Sequence, residues 1–350
     1  MARKPRSTGR PTITDVAAAA GVSAITVSRV LRSPERVRKD TRARVEAAIK
    51  ALDYLPDAAA SALASKRTDV IGVVLPSVTN AVFLDTLRGI YDVAEEDNTQ
   101  IQIANSRYDA EEEERLLRVF LSQKPAGLIV TGIDQSEATE RLLRGAPCPV
   151  VQITEIGPEP VDMMVGFDHA AAGALAADHL ADQGYRRIGF LGARQDPRSL
   201  RRQGGFRAAL EARGLFAAER VLFSTERSSV QLGSAQLEGL LAADPQADAV
   251  LCNNDNLALG VLFACQRMGL AVPGRFGICG FNDVEFMAAA NPALTSVQTP
   301  RREIGRRAVS LIKARLADPG AHPPVEDLGV SLSPRASTAK AGTANKDIAG

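Results

Sequence analysis

From residue 69 onward the chain repeats one pattern: a short apolar run, an amphipathic stretch of roughly 10 to 17 residues, then another run. Ten such runs are readable, at 70–75, 101–104, 127–131, 150–153, 165–167, 188–191, 221–223, 249–252, 276–281 and 296–298. A strand that feeds a helix before the next strand lies parallel to that strand, because a parallel connection needs a crossover of about a dozen residues and a hairpin does not. The expectation is an α/β fold with helices on both faces of parallel sheets. Ten strands are many for one twisted sheet, so two similar lobes are expected.

Open parallel sheets bind ligands beyond the carboxyl ends of their strands. The strand-end residues there are Ser77, Asn80, Tyr108, Thr154, Glu155, Phe167 with Asp168, Arg198, Arg202, Asn254 with Asp255, Asn282 with Asp283, and Thr299. Two arginines among amides, carboxylates and hydroxyls suit a small polyhydroxylated anion, with guanidinium for a carboxylate and amide or carboxylate for hydroxyls. Each residue has a plainer alternative. Asp168 and Asp255 sit where helix N-caps belong, and Arg198 and Arg202 have Asp196 and Glu211 as local carboxylate partners.

The N-terminal part has a different rhythm. Ile13, Val16, Ala17 and Ala20 recur at helical spacing behind Thr12, Gly21 stops that helix, and Ser23 caps a second whose inward face is Thr26, Val27, Val30 and Leu31. Two short helices around one glycine form a helix-turn-helix, unless they are a hairpin inside some larger domain. In that motif the second helix lies in the DNA major groove, which makes Ala24, Ile25, Ser28 and Arg29 the readable positions, with Arg29 fitted to the O6 and N7 of guanine. A third helix is expected over 40–52. Arg32, Arg36, Arg38, Thr41 and Tyr54 lie at turns and ends where phosphate donors are useful, and Thr14, Ser23 and Thr26 add hydroxyls. Residues 12–55 thus form a headpiece. Residues 1–11 read as a mobile basic arm, 56–68 as a linker helix that orders on DNA around one large residue, Leu63, and 335–350 as a disordered tail.

Charge follows the same division. Residues 1–66 hold 13 Lys and Arg against 6 Asp and Glu, a balance of +7, while the remainder holds 29 against 35, a balance of −6. A basic module on a mildly acidic body is the footprint of a protein with one end on phosphates. No apolar stretch has the length of a membrane span or the flanks of a signal peptide, so a cytoplasmic protein is expected. The four cysteines, scattered in apolar runs, read as reduced core thiols. No phosphate-binding loop, dinucleotide fingerprint, nucleophile elbow or H-E-x-x-H occurs. Neither catalysis, a cofactor nor a metal is expected.

With motif, linker and body in place, the chain resembles the LacI/GalR family of bacterial transcription regulators. The resemblance runs from about Thr12 to Ser337 and rests on T-I-T-D-V-A-A-A-A-G-V-S-A-I-T-V-S-R-V-L, Y-L-P-D-A-A-A-S-A-L-A, I-G-V-V-L-P-S-V-T-N-A-V-F, N-N-D-N-L-A-L-G and G-F-N-D. Further runs, among them V-G-F-D, I-G-F-L-G-A-R, S-V-Q-T-P-R and L-G-V-S-L-S-P, are similar to the gluconate-operon repressors of that family. The resemblance implies a headpiece, a hinge helix and a periplasmic-binding-protein-like core that dimerises and holds a sugar-type effector between lobes at about 69–166 with 299–326 and 167–298 with 327–334. It gives base reading to Ala24, Ile25 and Arg29, a minor-groove wedge to Leu63, and effector contact to Arg202, Asn254, Asn282, Phe167 and Ser77, with Phe83 at the end of its own motif. Departures are Asp57-Ala58 for the usual Asn-Arg after the hinge proline, Arg38 for a serine, and Asn282 for a frequent aspartate.

The expected function is repression of a sugar-acid operon by a homodimer on a pseudo-palindromic operator, relieved by a gluconate-type effector. The alternatives are an effector such as 2-ketogluconate, idonate or a neutral sugar, and a soluble sugar-binding or sugar-modifying α/β protein with no DNA role.

Overall fold

The computed structural model describes residues 11–32, 34–55, 68–97, 99–318, 320 and 324–340. The chain divides into two compact units, Met1–Thr68 and Asp69–Gly350. The basic arm, the linker helix with Leu63, and residues 341–350 of the tail lie outside the described residues.

The first unit contains α1 (Ile13–Ala20), α2 (Ala24–Arg32) and α3 (Lys39–Ala51). A capping box starts α1: the Asp15 N–H donates to Thr12 Oγ1 at 3.4 Å, and the Thr12 N–H donates to the Asp15 carboxylate at 2.7 Å. Gly21 at φ 63° ends it in the left-handed conformation, and the chain turns through 102° into α2, where Ser23 Oγ accepts the Thr26 N–H at 3.2 Å. Val16, Val27, Val30 and Val45 fill the centre. Two expectations fail here. Leu31, read as inward, is 38% exposed, because Val27 and Val30 already meet α3 and the last turn of α2 runs past the edge of this small core. Tyr54, read as a phosphate donor, belongs to the core: Asp53 at φ 49° folds the chain back, the Tyr54 N–H donates to Ile49 O at 3.0 Å, and the residue packs against the cluster.

The second unit holds two six-stranded sheets with the same winding. Lobe 1 has β1 (Val70–Leu75), β2 (Gln100–Asn105), β3 (Gly127–Thr131), β4 (Val150–Ile153), β5 (Met163–Gly166) and β11 (Val325–Asp327) in the order β11-β5-β4-β3-β1-β2, all parallel. Lobe 2 has β6 (Ile188–Ala193), β7 (Val221–Ser224), β8 (Ala249–Cys252), β9 (Gly277–Asn282), β10 (Thr295–Gln298) and β12 (Ser331–Ser333) in the order β12-β10-β9-β8-β6-β7, with β12 antiparallel to β10. The ten apolar runs are the first ten strands, with ends shifted by up to two residues. The two edge strands β11 and β12 had no such signal, since V-E-D and S-L-S are too short and too polar to make a run. The central strands are apolar throughout because both faces are covered: β1, β3 and β4 are buried along almost their whole length, whereas the edge strand β2 is exposed at every second or third residue.

Helices cover these sheets: α4 (Leu84–Ala94), α5 (Ala110–Ser122) and α6 (Glu137–Arg144) in the first run of the chain, then α7 (His169–Asp182), α8 (Pro197–Ala212), α9 (Val230–Ala243), α10 (Asp255–Arg267), the short α11 (Phe286–Ala289) and α12 (Arg301–Ala317). The chain changes lobe three times, at 167–168 between β5 and α7, at 299–300 between β10 and α12, and at 328–330 between β11 and β12. As a result α12, which follows the last long strand of lobe 2, packs on α4 and the sheet of lobe 1. Tyr185, Phe190 and Phe206 are fully buried, and each such side chain removed from water contributes about 1.5–3 kcal/mol.

Cys252, Cys265 and Cys279 are buried and free, while Cys148 is half-buried. The tail reading needs correction over 335–340: the Arg335 guanidinium is 2.6 Å from Asp283 Oδ1, and Ser337 and Thr338 are buried, with the Ser337 hydroxyl donating to Ile278 O at 2.6 Å. A low-complexity composition concealed this segment because, beyond one short turn of its own, the bonds that anchor it go to lobe 2. Among the described residues no single helix is long and apolar enough to cross a membrane.

Candidate functional site

The strand order reverses next to β1 in lobe 1 and next to β6 in lobe 2, and the loops leaving the carboxyl ends of the strands in both sheets line one small cleft of about 90 Å3. Of the expected effector residues, Asn80, Phe83, Tyr108, Thr154, Phe167, Arg198, Arg202, Asn254, Asn282 and Thr299 line it.

Arg202, on the first turns of α8, dominates its chemistry. It is enclosed by protein on every side but the cleft. Its Nε–H donates to His169 Nδ1 at 3.0 Å, Nη1 donates to the Asn253 carbonyl at 2.7 Å, and the guanidinium carbon lies 4.0 Å from the centre of the Phe281 ring. Among the described residues no carboxylate oxygen comes within 4.0 Å of it. Enclosure pushes its pKa down to about 10, which still leaves it cationic at neutral pH. His169 is 2% exposed; burial, then Arg202, Arg198 and Arg201 beside it, hold its pKa well below the usual value, so the ring is neutral. Because Nδ1 accepts from Arg202, the ring proton sits on Nε2. Arg198 differs from Arg202 in having a partner, Asp196 at 3.5 Å. Burial alone would raise the Asp196 carboxyl, but Arg198 and Arg202 bring it below its ordinary value.

Four non-glycine residues lining the cleft have positive φ, Tyr108 (63°), Arg194 (69°), Thr154 and Asn282, and the last two lie furthest from the usual left-handed values. Thr154, a β-branched residue, has φ 75° and Asn282 has φ 108°, and both persist because strand bonds such as Thr154 N–H to Val165 O (3.1 Å) over-determine them. Buried Thr86 Oγ1, Thr154 Oγ1 and Arg301 Nε have no hydrogen-bond partner, and all three residues line the cleft. Unpaired buried donors and acceptors of this kind are what a polyhydroxylated ligand satisfies.

Two expected residues do not line the cleft. Ser77 Oγ accepts the N–H groups of Thr79 and Asn80 at 3.3 and 3.2 Å and shapes the loop instead. Glu155 is 1% exposed and turned toward Arg201, 2.7 Å away. Burial pushes its pKa up to about 7, and Arg201, which also pairs with Asp134, ties α8 of lobe 2 to loops of lobe 1. Asp168 caps α7 by accepting from Ala170 and Ala171, whereas the cap of α10 is Asn254; Asp255 lies buried behind it, bonded to the Val284 N–H and Ser296 hydroxyl. Glu211 pairs with Arg207.

His169, Asn253, Ser228, Thr86 and Arg301 were missed. The strand-end rule had room for His169 and Asn253, each one residue beyond a named position. Thr86 sits mid-helix in α4 and had no local signal.

On the headpiece, Ile25 is 72% exposed and Arg29 is exposed, with no ion pair or side-chain hydrogen bond to a described residue. Ala24 is half-buried against the headpiece core and Ser28 half-buried, so the outward surface of α2 is narrower than its sequence implied. Thr14 is exposed; Ser23 and Thr26 bond each other at 2.9 Å. Arg38 and Arg36 are exposed, Arg36 facing Glu35 at 3.6 Å, and Thr41 is half-buried. The side chain of Arg32 is outside what the structure describes.

Residues 12–57 match the model of bacterial regulatory proteins of the lacI family, and residues 177–338 match the periplasmic binding protein-like domain. The HTH-type transcriptional regulator GntR of Pseudomonas aeruginosa is 37% identical over 336 residues, covering 96% of this chain and 98% of that protein. A LacI-family transcriptional regulator from Silicibacter pomeroyi, known by crystal structure, is 38% identical with a TM-score of 0.86, over 94% of this chain and 99% of that one. The lac repressor dimer bound to operator and an anti-inducer superposes with a TM-score of 0.83 at 26% identity, over 94% and 99%. A helix-turn-helix unit joined to a two-lobed α/β core defines a DNA-binding transcriptional regulator, not an enzyme. This chain belongs to the LacI family.

Proposed function

We propose that the protein represses a sugar-acid utilisation operon in the cytoplasm, binding a pseudo-palindromic operator as a homodimer and leaving it when a sugar acid of the gluconate type occupies the cleft. The observation that carries this reading is Arg202, a cation facing the cleft with no carboxylate of its own. Asp196 acts on that charge from beyond ion-pair distance, so a neutral sugar would leave it without a contacting counterion, whereas a carboxylate gives it charge-assisted bonds. Gluconate, 2-ketogluconate and idonate share the group; the runs similar to gluconate-operon repressors favour the first. The dimer follows from the lac repressor likeness and from geometry, since one recognition helix reads only a few base pairs.

An effector shifts a two-state equilibrium only by its differential affinity for the two states. Arg201 on Asp134 and Glu155, and Arg194 stacked 4.0 Å over the Tyr108 ring, join the lobes and have to rearrange when the lobes move. A tenfold fall in operator affinity requires about 1.4 kcal/mol of coupling. Titrating gluconate, 2-ketogluconate, idonate and glucose into the protein bound to its gene's own upstream DNA tests the reading. Release by gluconate at a concentration where glucose does nothing is expected. Tighter DNA binding with gluconate would make the acid a co-repressor, and equal release by glucose would set the acid reading aside.

On the DNA side, Arg29→Ala is expected to lose discrimination at one base pair per half-site, at about 1–3 kcal/mol each. Equal weakening on operator and random DNA would make Arg29 a phosphate contact only. Arg36, Arg38 and Thr41 belong to the phosphate contacts in this reading, and Leu63 to the minor groove.

A further inference from the structure

The two walls of the cleft are electrically unlike. The lobe 2 wall carries Arg202, which has no carboxylate partner. The other wall, built by lobe 1 and the 299–300 crossover, also carries an arginine, Arg301, 9% exposed, but this one is neutralised. Its Nη2 donates to Asp85 Oδ2 at 2.7 Å and lies 3.5 Å from the Asp283 carbonyl, and its Nη1 donates to Thr299 Oγ1 at 3.3 Å. Asp85, on the first turn of α4, is ionised: burial opposes ionisation, but the bonds and charges of Arg301 and Arg88 outweigh it and hold its carboxyl below the ordinary value. What Arg301 leaves for a ligand is the unpartnered Nε–H and the second hydrogen of Nη1, and the hydroxyls of Thr86 and Thr154, also unpartnered, line the same cleft. The Asp283 carboxylate adds no charge to the cleft, being held by Arg335 at 2.6 Å and by the Ser333 hydroxyl at 2.7 Å.

We propose that the Asp85–Arg301 pair makes this wall neutral and thereby sets the charge the cleft accepts: an aldonate, with one carboxylate and an uncharged polyol end, in preference to an aldarate with a carboxylate at each end. The inference rests on the sugar-acid reading above and adds an orientation to it. The carboxylate lies on Arg202, and the far hydroxyls meet the Arg301 Nε–H, Thr86 and Thr154. A second carboxylate at the far end would find a guanidinium whose charge Asp85 already compensates, and would lose its water for hydrogen bonds without a matching net charge.

The test is calorimetric titration of the full chain with gluconate and with glucarate, for the unaltered protein and for Asp85→Asn. The amide keeps the size of the side chain and an acceptor oxygen for Arg301 but removes the compensating charge. The unaltered protein is expected to bind gluconate at least tenfold more tightly than glucarate, and Asp85→Asn to move that ratio at least tenfold toward glucarate. Arg301→Gln, lacking both the donor and the charge, is expected to weaken both acids without moving the ratio toward glucarate. Equal affinity of the unaltered protein for the two acids, or an unmoved ratio in a folded Asp85→Asn protein that binds both, overturns this inference and leaves the sugar-acid reading standing. Failure of the unaltered protein to bind either acid while it binds a neutral sugar overturns both.

Discussion

Arg202→Ala is expected to lower affinity for gluconate at least a hundredfold and to leave operator binding without effector intact. Removing one partner of an enclosed, hydrogen-bonded charge pair costs about 2–5 kcal/mol, and a hundredfold corresponds to about 2.7 kcal/mol. The expected loss is large because nothing nearby substitutes: Arg198 is engaged by Asp196 and Arg201 by Asp134 and Glu155. The same change strips a donor from His169 Nδ1 and from the Asn253 carbonyl and a stacking partner from Phe281, so some stability is lost as well. A melting curve separates the two effects, and Arg202→Lys, which keeps charge but not the fork, is expected to fall between alanine and the original. An Arg202→Ala protein still released from operator at the original gluconate concentration would refute the assignment.

Gly173→Ala is expected to be among the most damaging one-carbon changes near the cleft. Where α7 crosses α8, a Cβ on Gly173 would lie 2.1 Å from the Arg202 carbonyl oxygen, and the relationship is reciprocal, with a Cβ on Gly205 1.8 Å from the Ala170 carbonyl oxygen. These obstacles are backbone atoms of helices and cannot swing aside, so the helices must separate. Overpacking of this kind costs about 1–3 kcal/mol and occasionally more. At about 3 kcal/mol the melting temperature of a unit this size falls by roughly 6–12 °C. Because the atom struck belongs to Arg202 itself, effector affinity is expected to fall along with stability. Gly204→Ala is the control: it is a neighbouring glycine of α8 with nothing within 4 Å of its Cβ, and helix propensity favours alanine there by up to about 1 kcal/mol. Equal melting temperatures for Gly173→Ala and Gly204→Ala would show that the helix crossing has room to give. The same close crossing recurs in lobe 1, with Gly89 under the Arg302 carbonyl and Gly305 under that of Thr86, so the helix that carries Thr86 to the cleft is also held where glycine lets two helices touch.

What could be read in the chain beforehand follows a physical division. The central strands were legible because most are nearly continuous apolar runs, a consequence of burial on both faces, the edge strand β2 was legible from its alternation, and most of the cleft was legible because strand ends are where polar residues follow such runs. β11 and β12 were not, since three-residue edge strands owe their place to a neighbour's unpaired backbone and carry no pattern of their own. Thr86 and Arg301 escaped for a related reason: they reach the cleft through helices whose position depends on a change of lobe 299 residues into the chain. Glu155 and Ser77 were in the right loops but point elsewhere, and alternation in a sequence does not encode the direction of a side chain in a turn. On the headpiece the helical period placed Val27 and Val30 correctly and failed at Leu31, in the last turn of α2, where the period stops applying.

The three lobe changes also bear on the order in which this molecule comes into being. On a ribosome the headpiece core has been made once residue 54 is out, since among the described residues that core is built from positions 13 to 54. Neither lobe of the core has that independence. Lobe 1 waits for α12 at 301–317 and its edge strand at 325–327, and lobe 2 for 331–333 and for the buried hydroxyls of Ser337 and Thr338. Synthesis therefore passes through a long interval in which the nascent chain owns a finished reading head but no sensor, and both sensor lobes are completed almost together, by residues 325–338.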